Sequence, residues 1–169
     1  DIYSLPEGKK IIDFSANINP LGLPKGVKKA LKAAINICAD YPDPFCRKLT
    51  EKLAKYHNLE QKDIFLSNGA ADVLFKLALA IKPGKALLLA PTFADYEKAL
   101  STVNCKINYF NLIEDNEFCV DASILAQINN DTDLVIICNP NNPTGQLTEE
   151  TLLLKILDKC RLTGTYLLV

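Results

Sequence analysis

Methionine is absent from these 169 residues, histidine occurs once, and neither sign of charge dominates. Lys and Arg number 19 against 20 Asp and Glu, for a net charge of −1. That balance provides no basic surface for nucleic acid or an anionic membrane, so neither is expected as a partner. No apolar run approaches the length of a membrane span, and no basic-then-apolar leader opens the chain, so no membrane association is expected either. The six cysteines, Cys38, Cys46, Cys105, Cys119, Cys138 and Cys160, form no CxxC pair and do not recur at metal-ligand spacing. They are expected to be reduced, in apolar surroundings, with no metal site, in a cytoplasmic protein. In that compartment the glycosylation sequon Asn130-Asp131-Thr132 has no consequence. The seven glycines nowhere form G-x-G-x-x-G behind a strand, and there is no Walker A loop, which argues against a dinucleotide-binding or P-loop domain. Internal repeats and low-complexity tracts are also lacking.

What is present suits a globular domain. Hydrophobic residues at 49% and charged residues at 23% supply one core for a chain of this length. Ile11 to Ser15 reads as a short extended segment, and Asn17-Ile18-Asn19-Pro20-Leu21-Gly22 as turns. Pro24 opens a helix whose apolar face is Val27, Ala30, Leu31, Ala34, Ile35 and Cys38. Tyr41-Pro42-Asp43-Pro44 breaks it, and a second amphipathic helix runs from about Arg47 to Tyr56, with Leu49, Leu53 and Tyr56 on one face. From Asp63 the pattern alternates. Strands are expected at Ile64–Leu66, Ala86–Leu89, Ile107–Phe110, 134–138 and 165–169. Helices are expected at Ala71–Ile81, Tyr96–Thr102, Ala122–Ile128 behind the N-cap Asp121, and 149–161. Alternation of this kind predicts an α/β fold, a mostly parallel sheet with helices on both faces. The shift in pattern near residue 60 divides an amino-terminal arm with its helices, 1–60, from the α/β part, 61–169. Tyr166 to Val169 reads as a central strand that should lead into a loop, so a truncated chain is expected.

The most informative segment is Cys138-Asn139-Pro140-Asn141-Asn142-Pro143-Thr144-Gly145. It follows a buried strand and precedes a helix, and open α/β sheets place their ligands at the carboxyl ends of such strands. Asn142 offers an amide donor beside the rigid Pro143, suited to a phenolic or enolic oxygen. A plain polar turn is the alternative. Ser67-Asn68-Gly69-Ala70-Ala71-Asp72 joins a predicted strand to a helix, where small residues and free N–H groups suit an anion such as phosphate. In Ala90-Pro91-Thr92-Phe93-Ala94-Asp95-Tyr96, Phe93 either packs in the core or stacks on an aromatic ring, and Tyr96 reads as packing. His57 reads as a surface or capping residue.

Asn139-Pro140-Asn141-Asn142-Pro143-Thr144-Gly145 resembles the signature of the fold-type I pyridoxal-phosphate enzymes, the class I/II aminotransferases. The resemblance covers nearly the whole chain. It implies pyridoxal 5′-phosphate as cofactor and assigns residues 61–169 to the first part of the large cofactor-binding domain, with 1–60 in the small domain and dimer contact. It further implies that Asn142 bonds the cofactor's 3-hydroxyl oxygen. Gly69, Ala70 and Ala71 would hold the phosphate through backbone amides, and Phe93 would cover the pyridine face. Ala70 and Ala71 depart from the family, which usually has hydroxyl or acidic side chains there. Tyr41, in the run Tyr-Pro-Asp, either closes a turn or reaches the cofactor phosphate of a second subunit, which implies a homodimer. The stretch Asp13 to Gly22 resembles the amino-terminal segment of L-threonine-O-3-phosphate decarboxylases of cobalamin biosynthesis, placing Asn17 and Gly22 at a phosphorylated amino-acid substrate. Histidinol-phosphate aminotransferases and related transaminases are the alternative, and a non-catalytic binding module is a third reading. The Schiff-base lysine, the aspartate facing the ring nitrogen and the arginine for the substrate carboxylate are all expected beyond Val169. Lys85, Lys98 and Lys155 do not occupy the lysine's place, so no catalytic residue is expected within this chain.

Overall fold

The computed structural model describes residues 17–169, and the chain divides into two units, the first ending at Asn58 and the second beginning at Leu59. The expected extended segment at Ile11–Ser15 lies outside the described residues.

In the first unit, Asn19 organises a turn. Its Oδ1 accepts from the Leu21 N–H at 3.0 Å, and its backbone carbonyl accepts from Gly22 at 3.0 Å. Helix α1, Lys25–Ala34, starts behind Pro24 and passes into a 3-10 turn at Ile35–Ile37. The amphipathic pattern predicted a helix, and a helix forms, but Val27, Leu31 and Ile35 on its apolar face are exposed. Helix α2, Arg47–His57, is secured by Asp43, whose carboxylate accepts from the backbone N–H of Phe45 at 3.1 Å and of Arg47 at 2.9 Å. His57 is exposed in its last turn, and the left-handed residue that ends the helix is Asn58.

The second unit is a parallel sheet. Strands β1 (Lys85–Ala90), β2 (Lys106–Asn111), β3 (Leu134–Ile136) and β4 (Tyr166–Leu168) stand in the order β2-β1-β3-β4. Ala86 pairs with Leu134 and Leu134 with Tyr166, every ladder being parallel. Four consecutive residues of β1, from Ala86 to Leu89, are buried, as a strand covered on both faces requires. Alternation divides them. Leu87 and Leu89 pack with Val135, Ile137, Ile156 and Cys160 beneath helix α5, Glu150–Thr163. Ala86 and Leu88 pack with Leu74, Ala78, Ala99 and Leu100 from helices α3 (Gly69–Ile81) and α4 (Asp95–Ser101). The expected helices on both faces of a parallel sheet are therefore observed.

Three expectations need correction. Ile64–Leu66 is not a strand: Ile64 has extended dihedrals (φ −114°, ψ 122°), but no described residue offers the segment a ladder partner. The helix expected at Ala122–Ile128 is a 3-10 helix, Ala122–Gln127, although Asp121 caps it as predicted, accepting from Ser123 N–H at 2.8 Å. Strand β3 ends at Ile136 rather than 138 because Cys138 turns into the polar loop, where its thiol meets the Pro140 carbonyl at 3.4 Å.

Candidate functional site

In a parallel sheet all carboxyl ends lie on one side, and a crevice opens where successive connections leave in opposite directions. Here that point lies between β1 and β3, since the chain goes from β1 outward to β2 and then returns to the other flank as β3. The loops bordering the crevice carry Phe93 after β1 and Asn141–Asn142 after β3. Phe93 also lines a cavity of about 280 Å³ with Ala70 from the first turn of α3, Tyr96 of α4, and Leu168 and Val169 at the end of β4. The fold thus brings together two segments singled out separately in the sequence. A second cavity of about 350 Å³ between α3, α4 and β4 is lined by Leu74, Ile81, Leu134 and other apolar groups, and suits packing rather than chemistry.

The start of α3 is built around Asp72. Its Oδ2 accepts from Lys76 Nζ at 2.7 Å, from the Asn68 N–H at 3.1 Å and from the Ser67 hydroxyl. Lys76 also donates to Ser67 Oγ at 2.8 Å. The Lys76 ammonium, then the Ser67 and Asn68 donors, hold the Asp72 carboxyl down at about 2. Gly69 turns the chain into the helix at φ +88°, in the left-handed region, and a Cβ there would meet nothing within 4 Å. Asn68 contributes no side-chain cap, so the first-turn amides of Gly69, Ala70 and Ala71 keep the donor capacity and dipole of an open helix start.

The loop after β3 is held by Asn141, which the sequence does not single out from its neighbours. Asn141 is 3% exposed and reaches across to the loop after β1. Its Nδ2 donates to the Pro91 carbonyl and to Thr144 Oγ1, both at 3.0 Å, while its Oδ1 accepts from Thr92 Oγ1 at 2.9 Å. Asn139 Oδ1 accepts from the Thr148 N–H at 2.8 Å and closes the loop toward α5. Asn142, by contrast, is exposed, its backbone N–H resting on Cys138 Sγ at 3.4 Å. Phe93 is half-buried, edge to face with Tyr96 at 5.7 Å between centroids. Burial, with Cys138 beside it, pushes the Tyr96 hydroxyl up, so that it stays protonated.

Asn17, Gly22 and Tyr41 belong to the first unit. Asn17 is exposed, Gly22 closes the Asn19 turn at φ +71°, and Tyr41 is fully exposed. Lys85 opens β1, Lys98 pairs with Asp95 at 2.8 Å on α4, and Lys155 lies on α5.

Residues 9–169 match the family described as aminotransferase class I and II. The chain belongs to that family. Among the relatives, it is 38% identical to a threonine-phosphate decarboxylase from Salmonella typhimurium over 90% of this chain and 42% of that protein. It is 33% identical to a histidinol-phosphate aminotransferase from Geobacillus thermodenitrificans over 93% of this chain and 42% of that one. The structure of a histidinol-phosphate aminotransferase from Clostridium acetobutylicum superposes with a TM-score of 0.80 at 31% identity, covering 93% of this chain and 46% of the other. The chain therefore spans less than half the length of these relatives. As a class I/II aminotransferase-family chain it has the α/β fold that the alternation of strands and helices predicted, with the motif at the switch point of the sheet. No helix among the described residues is long and apolar enough to cross a membrane.

Proposed function

We propose that the whole protein is a pyridoxal-phosphate enzyme acting on a phosphorylated amino acid, and that it is a threonine-phosphate decarboxylase. The observation that carries the cofactor reading is the shared cavity of Ala70 and Phe93 at the carboxyl ends of the sheet. It sets an open helix start, suited to a phosphate, beside an aromatic face suited to a flat ring. The donor set fits the group. The amides of Gly69, Ala70 and Ala71, whose own side chains are no larger than methyl groups, hold the phosphate from this loop, and a Cβ at Gly69 would meet nothing within 4 Å. Phe93 covers one ring face, and the Asn142 amide donates to the phenolic oxygen. When bound, pyridoxal phosphate supplies an electron sink for the charge left when a bond to the substrate's α-carbon breaks.

The substrate reading rests on the 38% identity to the Salmonella decarboxylase and on the stretch Asp13 to Gly22. In this reading Asn17 and Gly22 meet the substrate's phosphate or carboxylate, and Tyr41 reaches the cofactor phosphate of a second subunit in a cytoplasmic homodimer. Residues 1–60 form the arm and small-domain part, and 61–169 the first part of the cofactor domain. The likeness to two histidinol-phosphate aminotransferases favours transamination as the second reading. The test uses the whole protein with pyridoxal phosphate and O-phospho-L-threonine, following carbon dioxide. Catalytic release is expected. Amino transfer to a 2-oxo acid without carbon dioxide would select the aminotransferase, and neither activity would leave the enzyme reading without support.

A further inference from the structure

Asn141 has no polar group left for a ligand. Both protons of its amide and its amide oxygen are committed to Pro91, Thr144 and Thr92. Its backbone N–H donates to Gln146 O at 2.8 Å, and its carbonyl accepts from the Gly145 N–H at 2.6 Å. A buried side chain saturated in this way acts as a fastener, and its partners lie on two loops some 49 residues apart. The residues it joins are the immediate neighbours of the two recognition groups: Thr92 precedes Phe93, and Asn141 precedes Asn142. We propose that Asn141 and Thr92 are positioning residues that fix the spacing between the aromatic face of Phe93 and the amide of Asn142, and so set affinity for the cofactor ring. This rests on the pyridoxal-phosphate reading above.

A chemically redundant contact would tolerate loss of either partner, whereas a cross-loop fastener fails as a unit. Thr92→Val keeps the shape and removes the hydroxyl, Thr92→Ser keeps the hydroxyl, and Asn141→Ala removes all three bonds. The experiment first measures amide hydrogen exchange in the whole protein without cofactor. Asn141→Ala should speed exchange at residues 92–94, in the other loop, and Thr92→Val should do the same at 141–145. Pyridoxal phosphate is then titrated by its visible absorption. Both variants should bind roughly tenfold more weakly, Thr92→Ser should bind as the parent does, and the double variant should lose no more than the poorer single one. Gly164→Ala, at the opposite end of the sheet, serves as a control for general loss of stability.

Exchange confined to the loop carrying the substitution would overturn the inference. So would a loss of affinity no larger than that of Gly164→Ala, or no rescue by Thr92→Ser. If the parent protein binds no pyridoxal phosphate, the cofactor reading fails and the inference falls with it. Parent binding with unchanged variants removes the inference alone.

Discussion

Gly69→Ala separates backbone geometry from side-chain space at the candidate phosphate loop. The residue stands at φ +88°, and an added Cβ meets no heavy atom within 4 Å, so the substitution is sterically free and torsionally strained. Holding an L-residue in the left-handed region costs about 1–2 kcal/mol. Alanine also restricts the unfolded chain, an effect of about 0.4–1 kcal/mol that applies at any site and offsets part of that cost. The net expectation is a loss of roughly 1 kcal/mol, the difference between those ranges. Gly164 provides the matched comparison. It ends α5 at φ +70°, again with nothing within 4 Å, but it precedes β4 and so lies at the amino end of the sheet, away from the crevice.

Both variants should therefore lower the urea midpoint by similar amounts at unchanged slope. Only Gly69→Ala should weaken pyridoxal phosphate binding, because only there does relaxing the strain re-aim the first-turn amides of α3. Gly69→Asn, which tolerates the left-handed region better, should recover part of the lost stability. A stabilising Gly69→Ala would refute the left-handed turn. Equal losses of affinity in both alanine variants would show that stability, and not the aim of the amides, controls binding.

Two other expectations follow from the same loops. The Asp72 carboxyl is held at about 2, first by Lys76, so its ionised form adds stability that is complete above about pH 4 and is lost as pH falls toward 2; carbon-detected NMR should find its midpoint near the lower value, and Lys76→Met should raise it. An Asp72 midpoint in the ordinary carboxylate range would show that the Ser67–Asp72–Lys76 network does not persist in solution. Asn142→Ala should leave the urea midpoint within about 0.5 kcal/mol of the parent, since the side chain is exposed, while weakening pyridoxal phosphate binding; a large loss of stability would mean that Asn142 braces the loop instead of serving a ligand.

How far the sequence reveals this fold depends on whether each signal is local. Ala86–Leu89 and Leu134–Ile137 read as strands because residues buried on both faces form unbroken apolar runs, and both runs are indeed buried. Ile64–Leu66 has the same local character, yet a strand exists only with a partner, and pairing is not written in three residues. Helix α3 begins two residues before its predicted start because Gly69 and Ala70 read as loop, while their role is to bend the chain into the first turn. In α1 the apolar stripe gave the helix correctly but not its burial, since periodicity records which residues share a face and not what that face meets.

The site shows the same division at the scale of adjacent residues. Asn141 and Asn142 are chemically identical neighbours, and in the sequence Pro143 and the resemblance to the aminotransferases single out Asn142. In the structure one is buried with its amide fully satisfied, and the other is exposed with only its backbone anchored. What separates them is the loop after β1, which puts the Pro91 carbonyl and the Thr92 hydroxyl within reach of Asn141 alone. A turn motif can therefore reveal that a polar loop ends a strand at the right place. Which of its amides binds and which fastens is decided by a second loop some 50 residues earlier in the chain. The Asn141→Ala and Asn142→Ala pair makes that division measurable: loss of both stability and affinity for the first, and of affinity alone for the second.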